Sequence, residues 1–134
     1  MALVQQHEER ELFDKIIEYY HTLHPEVKFT QREEMLAPKD IRELYYTIPA
    51  LENVVNFGQK VEEIKRAIGH GYQTPAIVLR KRDRDLLLDG HRRIRAAWEL
   101  GIEWPAYVMI PDKQKEFGVE KLVQGQIKDI WKRA

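Results

Sequence analysis

The stretch Leu86-Leu87-Leu88-Asp89-Gly90-His91-Arg92-Arg93-Ile94-Arg95-Ala96-Ala97 decides how the rest of the chain is read. Three leucines predict a short buried strand, and Asp89-Gly90 turns the chain. From there Ile94, Ala97 and Trp98 recur at helical spacing. Gly101 predicts the end of that helix, with Ile102 supplying the apolar contact that accompanies a glycine terminator. A strand thus runs straight into a helix whose first turn carries His91, Arg92, Arg93 and Arg95. The sign is unusual. A helix N-terminus carries roughly half a positive charge, so basic residues there cost ~0.3–1 kcal/mol each. They make sense where an anion sits against the free N–H groups, with a guanidinium completing the contact and a glycine clearing the approach. The alternative is a surface helix whose arginines pair with Glu99, Glu103 and the acids of residues 81–85, with Asp89 as an N-cap. The residues alone leave both open.

Outward from this junction, Pro75 precedes Ala76-Ile77-Val78-Leu79, which reads as a strand, and residues 81–85 read as a charged turn. The two strands predict a hairpin. Downstream, residues 106–110 read as a strand stopped by Pro111-Asp112, and residues 117–132 as a C-terminal helix with Leu122, Ile127, Ile130 and Trp131 on one face. Upstream, residues 5–24 predict a helix through Leu12, Phe13, Ile16, Ile17, Tyr20 and Leu23, stopped at His24-Pro25. Residues 25–34 read as polar and irregular, and Met35-Leu36-Ala37 as briefly extended. Residues 40–57 are ambiguous, with Ile48-Pro49 in a turn or extended. Residues 58–69 predict a helix with Val61, Ile64 and Ile68 inward. The expectation is an α/β (α+β) fold in which a small mixed sheet is covered by helices, forming one domain over residues 1–134.

The chain has no cysteine, which removes disulfides, thiolate metal sites and thiol nucleophiles. No apolar run is long enough to span a membrane, and no basic-then-apolar leader is visible. A cytoplasmic protein is expected. Net charge is zero, yet residues 1–67 hold 9 basic and 13 acidic side chains, and residues 68–134 hold 13 and 9. Residues 80–95 alone hold 7 basic and 3 acidic. That local excess suits one phosphate better than a long DNA backbone, where several phosphates are neutralised together. His21 and His24 lie three apart with no third ligand, so no metal site is expected.

The run from Gly90 to Ala96 resembles the Gly-Glu-Arg-Arg-x-Arg-Ala box of the ParB partition proteins, with His91 where they carry Glu. Asp89-Gly90-His91 and Arg93 also resemble the Asp-Gly-His-His-Arg box of archaeal relatives, some of them ADP-dependent free-serine kinases. Sulfiredoxins carry Gly-Cys-His-Arg at the same place. Lys60-Val61 is similar to the Lys-Val pair that opens a sulfiredoxin helix. Gly71, Thr74-Pro75 and Ile77-Val78 resemble the Gly-x-x-x-Pro-Ile-Val strand of that superfamily. The resemblance covers about residues 33–110, leaving the N-terminal helix and the C-terminal segment outside it. It implies a ParB/sulfiredoxin-like fold that binds the phosphates of a nucleotide, which is CTP, ATP or ADP in the three groups. Gly90, His91, Arg92 and Arg93 are then the phosphate ligands, with Lys60 and Thr74 as weaker additions.

The departures from these families narrow the choice. Sulfiredoxin chemistry is excluded, because His91 stands where its cysteine would be and imidazole cannot replace the thiolate. About 24 residues follow Ile110, too few for the helix-turn-helix reader and dimer domain of the partition proteins. A phosphotransferase needs a carboxylate near the substrate hydroxyl and near Mg²⁺, and Asp89 and Glu52 are the candidate catalytic acids. The leading expectation is a nucleotide- or phosphate-binding domain. The alternatives are a DNA-associated partition or regulatory module, acting as a homodimer or with a DNA-binding partner protein, and a small ADP- or ATP-dependent phosphotransferase.

Overall fold

A central pair of strands, apolar on both faces, organises the molecule. In the computed structural model, which describes residues 3–47 and 54–131, the elements follow in order. They are α1 (Gln6–Leu23), β1 (Phe29–Leu36), α2 (Pro38–Glu43), β2 (Tyr45–Thr47), α3 (Val54–Ile68), β3 (Ala76–Lys81), β4 (Arg84–Asp89), α4 (His91–Leu100) and β5 (Trp104–Pro111). A 3₁₀ turn (Val119–Leu122), β6 (Val123–Gln126) and α5 (Ile127–Ile130) follow. The strands form one six-stranded sheet in the order β1-β5-β3-β4-β2-β6. β3 runs parallel to β5 and antiparallel to β4, and β2 runs parallel to β4 and antiparallel to β6. The expected α/β class is therefore observed.

The apolar alternation of β3 and β5 builds two cores. Ala76, Val78, Ala106 and Val108 face one side, with Leu87 of β4, and meet Ile41 of α2, Ile94, Ala97 and Trp98 of α4, and Ile127 of α5. Ile77, Leu79, Tyr107 and Met109 face the other, with Leu86, and meet Phe13 of α1 and Phe117. Phe13 stacks on Tyr107 with ring centroids 5.4 Å apart. Successive strand residues point to opposite faces, so a continuous apolar run is the signature of a strand buried on both sides. α3 lies against α4 through Val61, Ile64 and Ala96.

The hairpin forms as expected, with its turn reduced to Arg82-Asp83 because Lys81 and Arg84 pair with each other. α4 ends at Gly101 (φ 68°), where the Ile102 amide donates to the Ala97 carbonyl at 3.1 Å. α3 starts earlier than expected, at Val54. β5 follows α4 but pairs with β1 and β3, not with β4. Two expectations need correction. Residues 29–34, expected to be irregular, belong to β1, an edge strand whose outward side chains are polar because water covers them. Of residues 117–132, expected to be one helix, the described part instead holds the 3₁₀ turn, β6 and the short α5. Gly118 (φ 96°) and Gly125 (φ 147°) sit inside that span in conformations a right-handed helix does not allow. Residues 40–57 resolve in part, Tyr45–Thr47 being β2, while Ile48-Pro49 lies outside the described residues.

Candidate functional site: the start of α4

Asp89 closes β4 opposite Ile77. Gly90 then adopts φ 91°, ψ 28° and caps α4, whose first internal bond runs from the Ile94 amide to the Gly90 carbonyl at 2.9 Å. The amides of His91, Arg92 and Arg93 consequently have no acceptor within the helix. No acidic residue occupies the first turn. Glycine is needed at position 90 for two reasons. Its φ is one that L side chains rarely adopt, and a Cβ would lie 3.0 Å from the Ala76 Cβ and 3.1 Å from the Ala76 Cα. The space expected for an approaching ligand is thus filled on this side by β3.

The residues expected at the site have separate tasks. Arg93 is buried and turned inward. Its Nη1 donates to the Pro75 carbonyl at 2.6 Å, and its Nη2 donates to Glu9 at 2.8 Å and to Asp89 at 3.1 Å. Its Cζ lies 3.3 Å from where a Cβ of residue 90 would be. His91 is also buried, with Nε2 3.2 Å from the Thr47 hydroxyl and its ring edge-on to Tyr46. The Thr47 hydroxyl donates to the Leu87 carbonyl at 2.5 Å, so at this contact His91 Nε2–H is the donor. Arg92 is half-buried in the first turn. Thr74 is buried, donating its hydroxyl to the Val4 carbonyl at 2.9 Å, while its backbone carbonyl accepts the Trp104 indole N–H at 3.0 Å. Lys60 is carried on α3, next to Val61, which packs on Ala96 of α4. Glu52 lies outside the described residues. Position 90 is capped by glycine itself, without a side-chain cap, and the Asp89 carboxylate is held by Arg93.

Glu9 is the residue that sequence reasoning misses, yet only 1% of it is exposed. It sits one helical turn before Phe13, on the apolar face that continues through Ile17 and Tyr20. An acid in line with that face is the available signal. Burial pushes its carboxyl up to about 8, and its hydrogen bond to Asp89 adds to the rise, while Arg93 opposes it. Thr47, the partner of His91, lies in the ambiguous span 40–57, where no local pattern points to it.

The basic excess of residues 80–95 is largely consumed by internal pairs. Arg80 is forked between Glu34 and Asp85, Lys81 is bonded to Glu120, and Arg95 bonds Glu99 at 2.6 Å while lying over Trp98 and Trp131. Among the described residues no group of three or more His, Asp or Glu is placed to hold a metal ion, and no helix is long and apolar enough to cross a membrane.

No protein-family model matches the chain, and the curated proteins contain no match to it.

Proposed function

We propose that the chain binds a phosphate, most simply that of a nucleotide, at the start of α4, as a ParB/sulfiredoxin-like domain. The carrying observation is the strand-to-helix turn at Gly90, followed by three amides without helical acceptors in a first turn that has basic residues and no acid. The amides of His91 and Arg92 and the Arg92 side chain are the proposed anion contact, and Lys60, carried on α3, is a further candidate. Gly90, His91, Arg93 and Thr74 serve by holding the turn: each is tied to β3, β2, α1 or the N-terminal segment rather than offered to solvent. Such a first turn fits a phosphate monoester or the phosphates of ATP, ADP or CTP. Mg²⁺ would then be held chiefly by the phosphate oxygens. Transfer or hydrolysis is a further step for which Asp89, at 38% side-chain exposure, is the described acid nearest the turn.

The test is a thermal-shift and calorimetric panel of inorganic phosphate, ADP, ATP and CTP, each with and without Mg²⁺. At 100 times its dissociation constant a ligand adds about 2.7 kcal/mol of stability, a shift easily seen. Arg92→Ala is expected to weaken binding about tenfold or more through loss of a charge-assisted contact, while Arg95→Ala leaves affinity within twofold because its guanidinium is spent on Glu99 and two indoles. Absence of stabilisation by every member of the panel at millimolar concentration rejects the proposal.

A further inference from the structure

α1 and α4 lie on opposite faces of the sheet, and one cluster joins them around its end, with Arg93 and Glu9 buried and Asp89 partly exposed. Among the described residues, Arg93 of α4 is the cation in contact with both carboxylates there, Glu9 from α1 and Asp89 from the end of β4, while its other nitrogen is fixed on the Pro75 carbonyl. The neighbouring charges point elsewhere. Glu8 accepts from the Gln5 amide, Arg10 donates to Gln31 and reaches Asp14, and His91 is bonded to Thr47. Beside the cluster, Thr74 and Tyr72 both donate to the Val4 carbonyl, so the segment leading into α1 is pinned at the same end of the sheet.

With both acids ionised, this cluster holds two negative charges against one positive, and Glu9 is sealed from water. With one proton placed between Glu9 and Asp89 the cluster is neutral, and the carboxyl–carboxylate contact becomes a hydrogen bond. We propose that Glu9, Asp89 and Arg93 form a proton-operated latch that holds α1 against the start of α4 when one proton is bound and loosens its hold as that proton becomes scarce. Linkage sets the direction. Glu9 binds its proton more tightly docked than free, so the docked state gains most in acid. The gain falls as pH rises from the ordinary carboxyl range toward 8, and no further change from this group occurs above that. The latch requires no ligand at α4, so it stands or falls separately from the phosphate reading.

Hydrogen exchange followed by mass spectrometry on the full chain, without phosphate or nucleotide, tests it. The exchange of α1 amides is divided at each pH by that of the same amides in an unfolded peptide of that sequence, which removes the base catalysis common to both. In the wild type this ratio is expected to climb by up to about tenfold per pH unit between roughly pH 5 and 8, then level off. In Glu9→Gln, which keeps the shape and cannot ionise, it is expected to stay flat. A flat wild-type ratio, or a Glu9→Gln ratio that climbs like the wild type, overturns the latch. Should Glu9→Gln fail to fold, carbon-13 NMR of the wild-type glutamate carboxyls decides instead. A Glu9 midpoint above 7 supports the latch, and one in the ordinary range near 4.5 rejects it.

Discussion

Two arginines at opposite ends of the β3–β4 hairpin are built alike and behave differently. Arg80 is held by Glu34 and Asp85, and Arg93 by Glu9 and Asp89, so each guanidinium faces two carboxylates. At the Arg80 end the side chains of the arginine and Glu34 are 29% and 27% exposed, whereas at the other end Arg93 and Glu9 are 6% and 1% exposed. Water is the variable. Near the surface the hydrogen bonds from Arg80 dominate and hold the Glu34 carboxyl below its ordinary range. In the interior the cost of burying charge dominates, and the Glu9 carboxyl is raised despite the same kind of partner. At these two forks the partly exposed carboxyl is held ionised and the sealed one is raised; where more donors converge, as on the buried Glu120 beside Lys81, ionisation survives burial.

The largest break in this comparison comes from removing the buried cation. Arg93→Ala leaves Glu9 and the Pro75 carbonyl without their donor, and breaking one partner of a buried pair costs about 3–5 kcal/mol. Urea unfolding should show the midpoint falling accordingly. A loss below about 1 kcal/mol would mean that the cluster is wetter than its geometry states. Gly90→Ala acts on the same turn through sterics. A strained backbone conformation costs about 1–3 kcal/mol, and the contact falls on the Cα of Ala76, which cannot rotate away. The same unfolding assay should place this variant next in severity. A neutral Gly90→Ala would show that the turn can flip.

The two ends also predict opposite pH limbs. Glu34 has its carboxyl lowered in the fold, so its contribution is present above the ordinary carboxyl pKa of 4.5 and disappears as pH falls through the folded value. Glu120 acts in the same direction, because the hydrogen bonds it receives outweigh its burial. Glu34→Gln should therefore shorten the acid limb of the stability–pH curve without removing it. The limb between about pH 5 and 8 belongs to Glu9 and should be untouched. Melting temperatures measured across the acid and neutral range sharpen the contrast, and a Glu34→Gln curve parallel to wild type throughout the acid limb would contradict it.

How much the sequence reveals depends on the range of the interactions involved. β3, the α4 helix and its Gly101 terminator are local patterns of apolar spacing and glycine, and they appear where expected. β1 is hidden because its polar run faces water at a sheet edge. The C-terminal segment misleads because Leu122, Ile127, Ile130 and Trp131 mimic helical spacing across Gly125, which turns the chain there. At the candidate site, Gly90 and the basic turn are legible. The partner of Arg93 is not, since Glu9 lies 84 residues away along the chain and meets it only after the sheet has formed. The motif resemblance implies that His91 and Arg93 face a ligand, and both side chains are instead buried against their own fold.

The smallest expected effect is at Arg80. Its fork is well formed, with four bonds of 2.7 to 3.0 Å to Glu34 and Asp85, and by geometry alone it surpasses that of Arg93. Exposure reverses the ranking. Partly exposed pairs contribute about 0.2–1 kcal/mol each, and salt weakens them further. Removing Arg80 also leaves Glu34 and Asp85 free to turn to water, an escape closed to Glu9. Arg80→Ala is therefore expected to cost no more than about 1–2 kcal/mol for its two pairs, and raising the salt from about 0.1 to 1 M should shrink the difference from wild type. Arg93→Ala should show the same loss at both salt concentrations, because no counter-ion reaches a sealed pair. Unfolding both variants at the two salt levels tests this directly. If Arg80→Ala proved as damaging as Arg93→Ala and equally indifferent to salt, exposure would not be what separates the two ends of the hairpin.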